Sequence, residues 1–564
     1  MKRLLKNGTV VNVFTGELIK TNVLFENGII LGVDDYGDDE ADEVIDAAGK
    51  YICPGFIDGH IHIESTMLTC PEFAKTAVSH GTTAVIADPH EIANVSGKDG
   101  LRYMIESSEG LPLTVYFVIP SCVPATSFDE SGAVLSADDI EEFYSESRVL
   151  GLGEVMNYVG VVAGDGELEK KIKSALSRGL VVNGHAPLLS GKPLDKYISA
   201  GIGDDHECSS ADEAKERIRK GQRIMIRQGT AARNLSGLIS LFDDPWEQRC
   251  LLVTDDKHPA DLISNGHIDS IIRSAVQMGK SAVTGIRMAT LHAAECFGLK
   301  NTGAVAPGYK ADLLVLDDLD KVIVRDVYKN GEKVVSDGKT LCFDMPKIND
   351  ALEKKVRSSF NLPMLSSSDF DVNYNGKRKC HVISLVDGQL LTDDLVSDID
   401  FDCNNGIDIE HDILKIAVIE RHHNTGHIGN AFIKGIGLKE GAIASSVAHD
   451  SHNLIVIGTN TDDMAFAANR IRELGGGIVS VKNGKVVAEM PLPIGGLMSC
   501  ETAERAAEEN ENVRESVYSL GVPKGFEPFM IMSFLSLPVI PHLKLTTKGL
   551  VNVDTQSEVP LAAE

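Results

Sequence analysis

Eight short apolar runs, each followed by a helix-like stretch, constrain this chain most. The runs cover residues 56–62, 83–88, 114–119, 150–154, 180–185, 202–206, 223–227 and 250–255. Intervening stretches such as 165–178 and 210–220 combine helical periodicity with dense charge. Eight strands alternating with helices predict an α/β fold, a TIM-like (β/α)8 barrel. In such a barrel the C-terminal strand ends share one rim, where active sites sit. Several runs end in a metal-capable or acidic residue: His60 and His62, Asp88, Glu154, His185, His206 and Asp255. Side chains distant in sequence are therefore expected to converge there.

The first run ends Asp58-Gly59-His60-Ile61-His62. Histidines at i and i+2 of a strand share a face. Two neutral imidazoles at one strand end make half of a metal site. Alone, the pair would equally suit a surface strand with two unrelated histidines. The later strand ends supply the remaining ligand types.

These residues carry a family resemblance. The chain resembles the amidohydrolase superfamily at His60-x-His62, Glu154, His185, His206 and Asp255. Within it, the chain is similar to the bacterial adenine deaminases. The matching blocks are Ala87-Asp88-Pro89-His90-Glu91-Ile92-Ala93-Asn94-Val95, Gly153-Glu154-Val155-Met156-Asn157, Gly184-His185-Ala186-Pro187, Asp205-His206-Glu207-Cys208, Thr230-Ala231-Ala232-Arg233-Asn234 and Ser446-Val447-Ala448-His449-Asp450-Ser451-His452-Asn453. Together they span nearly the whole chain. Many binuclear superfamily members bridge their metals with a carboxylated lysine at the fourth strand. This chain has Glu154 there, and a carboxylate can span two cations without modification.

The resemblance implies hydrolytic deamination of adenine to hypoxanthine and ammonia, within purine salvage. It implies two divalent ions per subunit, held by His60, His62, Glu154, His185, His206 and Asp255. The donor set suits zinc, iron or manganese, with manganese the expected ion and iron or zinc the alternatives. A cation lowers the pKa of a bound water to around 7. Asp255, Glu154 and His206 are expected to carry the chemistry, with Asp255 shuttling the proton. His90, Glu91 and Glu207 are alternatives for the acid that protonates the purine ring. Asp255 could instead cap the helix near Pro259, although Asp256 suits that local role better.

The flanks suggest further units. Asn7-Gly8, Thr15-Gly16 and Asn27-Gly28 punctuate β-like sequence before the barrel, and Asn330-Gly331 does so after it. Residues 1–53 and 304–345 are thus expected to build one small β-sandwich around a barrel at 54–303. Residues 346–564 form an additional C-terminal α/β domain, reached through a polar connector. Gly475-Gly476-Gly477 reads as a tight turn, because no Lys-Ser/Thr follows as in a phosphate loop. This unit contains His422, His423, His427, His449, Asp450 and His452. Exposed polar loops, an accessory metal site, or a wall of the purine pocket all fit them. On the last reading His449, Asp450 and His452 contact substrate, as His90, Glu91 and Glu207 do.

Composition narrows the class. The chain has 564 residues, 43% of them hydrophobic, and a net charge of −28. That balance argues against phosphate-backbone binding and so against a nucleic-acid partner. The ten cysteines contain no Cys-x-x-Cys pair and suit a reducing, cytoplasmic compartment. No run is long and apolar enough to span a bilayer. A homo-oligomer is expected. His62-Ile63-Glu64 matches half of the cytidine-deaminase signature, but the required Pro-Cys-x-x-Cys is absent. Two rival functions remain: a cyclic-amide hydrolase of the dihydropyrimidinase or hydantoinase kind, which typically carries the bridging lysine, and a non-catalytic binding protein, which should lack ligands.

Overall fold

The computed structural model describes residues 1–230, 232–372, 374–386 and 389–563. Ala231, within the 230–234 block, lies outside the described residues. Eight parallel strands form the barrel: β1 (Phe56–Ile61), β2 (Thr82–Ala87), β3 (Thr114–Ile119), β4 (Val149–Val155), β5 (Val181–Gly184), β6 (Asp204–Asp205), β7 (Arg223–Arg227) and β8 (Cys250–Val253). Strands β1 to β5 pair in one sheet and β6 to β8 in another. An isolated parallel bridge between Ile61 and Asp255 draws β1 against the end of β8. Strands β1, β2 and β8 are buried on both faces, as helix-covered parallel strands require.

Strand β6 is shorter than the expected 202–206 run. The Asp204 carboxylate replaces part of its ladder to β5. Its Oδ1 accepts the Gly184 N–H at 2.9 Å, and its Oδ2 accepts the Asn183 side-chain amide at 2.6 Å.

Both flanks join a single nine-stranded sheet, in which Leu313–Asp318 pairs antiparallel with Tyr51–Pro54. Asn27-Gly28 and Asn330-Gly331 form the expected two-residue hairpins, with positive φ at both positions. Asn7-Gly8 does not turn the chain. It is a bulge inside the strand Lys2–Val11, where the register to Leu18–Glu26 slips. A Cβ on Gly8 would lie 2.4 Å from the Ile52 Cδ1 methyl, so that side chain packs over the space a larger residue would fill.

The C-terminal unit centres on an eight-stranded sheet running from the edge strand Thr392–Asp400 to the edge strand Lys485–Pro491. Its central strands are fully buried, with the helix Thr461–Leu474 packed on one face. That helix ends at Gly475, which opens the three-glycine turn with φ 73°. The connector contains the helix Asp350–Arg357. The unit shares a core with the barrel: Ile478, Met490, Leu492, Ala506 and Val513 belong to the same apolar cluster as Phe73, Val85 and Leu262. Burial of this kind stabilises by about 25 cal/mol per Å² of apolar surface, so the two units are held together as one core. No helix among the described residues is long and apolar enough to cross a membrane.

Candidate active site

The barrel rim gathers all six expected ligands. His60 and His62 end β1, Glu154 lies in β4, and His185, His206 and Asp255 follow β5, β6 and β8. Five of them are almost wholly buried, and His185 is partly exposed. Glu154 sits at the centre. Its Oε1 faces the β1 histidines, 3.2 Å from His62 Nε2 and 3.8 Å from His60 Nε2. Its Oε2 faces the other pair, 2.6 Å from His185 Nδ1 and 3.2 Å from His206 Nε2. Asp255 Oδ1 lies 3.1 Å from His62 Nε2 and 3.5 Å from His60 Nε2.

Hydrogen-bond accounting tests whether a metal fits. His62 Nδ1 lies 2.9 Å from the Asp88 backbone carbonyl, which can only accept. A ring proton is thereby fixed on Nδ1, and Nε2 is left facing the Glu154 and Asp255 carboxylates. Two carboxylates converging on that nitrogen call for positive charge there, supplied by a cation or by a second ring proton. His60 Nε2 is buried without any hydrogen-bond partner among the described residues. Several triads of these ligand atoms, including His60, Glu154 and His206, lie within 4.8 Å of one another. Imidazole and carboxylate donors in this arrangement fit divalent cations.

Burial alone would push the Glu154 carboxyl up, but the His206 and His185 charges outweigh it and hold it well below the usual range. For Asp255 burial is again opposed, here chiefly by Arg227, and the group is held low.

The support around the ligands is polar and buried. Asp88 Oδ2 accepts the Glu154 N–H at 2.8 Å while its carbonyl fixes His62. Asp58 Oδ1 accepts from His60 N at 3.2 Å and Thr254 N at 3.1 Å, tying β1 to β8. Such outer partners orient ligands and raise metal affinity. Arg227, at the end of β7, was not singled out by the sequence reading. Its Nη1 lies 2.7 Å from Asp255 Oδ2 and 2.6 Å from Glu207 Oε1. A search of strand ends for ligands passes over a cation. A search for the partner of a buried carboxylate would have found it.

The remaining candidates divide. His90 lies between two groups: Nδ1 is 3.4 Å from Glu154 Oε1, and Nε2 is 3.4 Å from Glu91 Oε1. Glu91 turns away from the ligands and meets the C-terminal unit. Its Oε1 is 2.5 Å from His449 Nδ1, and its Oε2 accepts from His452 Nε2. Asp450 Oδ1 stands 3.8 Å from His90 Nε2, and burial pushes its carboxyl up to about 6. Glu207 is held by Arg227 yet lies 3.3 Å from His206 Nε2. His422, His423 and His427 do not join this group. His422 bonds the Ser451 carbonyl within its own unit, whereas His423 and His427 reach Ser131 and Glu130 and so seat the C-terminal unit on a barrel loop.

Neither Asp255 nor Asp256 caps the helix Pro259–Asn265; its N-cap residue is His258, whose backbone N–H donates to Thr230 Oγ1. Asp256 accepts from Ser65 Oγ at 2.5 Å.

Comparison with known proteins gives the family. The family described as "Amidohydrolase family" matches residues 51–341, and "Adenine deaminase C-terminal domain" matches residues 389–557. The chain is 44% identical over 562 residues to adenine deaminase 2 of Carboxydothermus hydrogenoformans, covering 99% of this chain and 96% of that protein. It is 44% identical over 559 residues to the adenine deaminase of Desulfatibacillum aliphaticivorans, with coverage of 99% and 96%. Among solved structures, dihydropyrimidinase from Brevibacillus agri NCHU1002 aligns with a TM-score of 0.48 and 16% identity, over 60% of this chain and 96% of that one. The chain belongs to the amidohydrolase family and, by its C-terminal unit and its full-length kinship, to the adenine deaminases within it.

Proposed function

We propose that the protein hydrolyses adenine to hypoxanthine and ammonia, preferring the free base to adenosine. The observation that carries this reading is kinship to adenine deaminases along the entire chain, the C-terminal unit included. The ligand geometry supports it. We assign His60, His62 and Asp255 to one divalent ion, His185 and His206 to a second, and Glu154 as the bridge between them. Manganese is our first choice, with iron and zinc as alternatives. When bound, such ions supply Lewis acidity and hydroxide at neutral pH.

The chain's own residues do the rest. Arg227 occupies Asp255 Oδ2, so Oδ1 is the oxygen left facing the β1 histidines. We assign Oδ1 to take the proton released by the attacking water and deliver it to the departing amino group. The water brings two protons: one reaches the ring nitrogen beside the reacting carbon, where hypoxanthine keeps it, and the other passes through Asp255 and leaves with the ammonia. Ten free cysteines, most of them buried, support a reducing compartment, and we place the reaction in cytoplasmic purine salvage.

The test is to incubate manganese-loaded protein with adenine, adenosine, guanine and dihydrouracil and to score ammonia release. Adenine should be turned over fastest. Faster turnover of adenosine, or of the cyclic amide, would overturn the assignment.

A further inference from the structure

A cavity of about 540 Å³ lies between the barrel rim and the C-terminal unit. That volume is in the range of small-molecule sites. Its walls include Ser65 and Asp256 from the rim and His449, Phe529, Ser533 and Phe534 from the C-terminal unit. Ser65 and Asp256 follow the ligands His62 and Asp255 closely in sequence, so the cavity adjoins the metal ligands.

His449 is the residue best prepared to meet a ligand there. Its Nδ1 donates to Glu91 Oε1, 2.5 Å away. Its ring lies on Phe534, with centroids 4.6 Å apart and planes 20° from parallel. One edge and one face of the imidazole are therefore committed. Nε2, on the opposite edge, makes no hydrogen bond among the described residues.

Glu91 is held from its other side by His452. His452 Nδ1 accepts the Ala448 N–H at 3.0 Å, so the His452 ring proton sits on Nε2 and is donated to Glu91 Oε2. This settles a second question. Glu91, His449 and His452 place ligand-type atoms within 4.8 Å of one another, as a metal site would. Yet His452 Nε2 has no lone pair to offer. The cluster is a carboxylate fixed by two imidazoles.

We propose that His449 is a purine-binding residue supplied by the C-terminal unit, its Nε2 hydrogen-bonding the edge of the base, with Glu91 as the positioning residue that aims it. A planar base with nitrogen acceptors along its edge is the class of ligand that such a group recognises. Burial lowers the affinity of His449 for a second proton, but the Glu91 charge more than offsets this and raises its pKa to about 9. Nε2 is then a donor at neutral pH. The inference rests on the adenine reading above and adds where the base is held.

The experiment measures steady-state kinetics with adenine and equilibrium binding of hypoxanthine, on full-length manganese-loaded protein. Wild type is measured first: inactivity towards adenine would sink the functional reading and this proposal together. With wild type active, His449→Ala should raise KM and weaken hypoxanthine binding by about 10- to 100-fold, with kcat changed far less. His449→Gln retains a side-chain donor and should recover part of the loss. It also serves if the alanine variant does not fold. Glu91→Gln should raise KM by a smaller factor. Metal content by elemental analysis should equal that of wild type in each variant. Unchanged KM and binding in a folded His449 variant would overturn the proposal. So would a fall in kcat alone, and loss of a metal equivalent would replace it with a third cation site.

Discussion

The protein contains two buried clusters built from the same side chains, and they do opposite things. One is the rim cluster around Glu154. The other is the interface cluster around Glu91. In both, a carboxylate is approached by histidines at hydrogen-bonding distance. The difference lies in a backbone atom behind one ring. Behind His62 stands a carbonyl, which accepts the Nδ1 proton and leaves Nε2 to face two carboxylates, where it can bind a cation. Behind His452 stands an N–H, which takes the lone pair and leaves the proton facing Glu91. The first cluster calls for a cation, and the second is complete without one. Residue type alone does not make a metal site; the tautomer imposed by the second ring nitrogen does.

The strongest way to break this comparison is to remove each central carboxylate. Glu154→Ala should release at least one ion and abolish turnover. Loss of an outer partner typically costs about 10–100-fold in metal affinity, and loss of a bridge should exceed that. Glu91→Gln should keep wild-type metal content. Elemental analysis of both proteins checks this. Two ions retained in Glu154→Ala would refute the bridge.

Next in size is Asp255→Asn. The variant keeps a ligand oxygen and the side-chain size, but the amide is a far poorer base. Loss of a positioned acid–base group costs about 10²–10⁴-fold in rate. Turnover should fall by that factor while most of the metal remains. Near-normal kcat in a metal-loaded sample would leave Asp255 a ligand only. Arg227→Gln should show a milder version, about 10-fold, because it frees Asp255 Oδ2 without removing the carboxylate. A change in metal content in Arg227→Gln larger than its change in kcat would make Arg227 a support of the ligand set instead.

The two clusters also differ in how far the sequence exposed them. The rim cluster was legible because barrel topology sends strand ends to one place, so six ligands could be read from five runs. The eight barrel strands were legible because buried parallel strands are continuous apolar runs. What stayed hidden depends on side-chain direction. Glu91 stood equally as an acid for the purine ring, and only the fold turns it towards His449 and His452, some 360 positions away in sequence. His422 and His427 looked like members of one histidine group with His449, but the loops carry them to backbone and Glu130 partners. Asn7-Gly8 has hairpin composition, yet neighbouring strands continue past it and turn it into a bulge. Phe534 carries no sequence signal at all, since its role comes from stacking on a ring 85 positions earlier.

The smallest effect separates the clusters by pH. Glu91 and His449 carry opposite charges across the interface between the barrel and the C-terminal unit. The Glu91 carboxyl is held well below its ordinary 4.5: burial opposes this, but the His449 charge and the hydrogen bond from His449 prevail. Its stabilising contribution is therefore present above about pH 4.5 and is lost as pH falls through the lower folded value. His449 is raised from 6.5 to about 9. Its contribution is full below 6.5 and is lost as pH rises through about 9. The pair thus stabilises the docked units most between about pH 4.5 and 6.5, and little by pH 10. The Tm difference between wild type and His449→Ala, a few degrees at its largest for a chain of this size, should shrink steadily from pH 6 to pH 10. At the rim the compensating charge is a cation rather than a proton. There a chelator at constant pH should lower Tm, and should do so equally in wild type and in His449→Ala. A Tm difference that stays constant from pH 6 to pH 10 would mean that His449 stabilises the interface by packing on Phe534 and not by its charge.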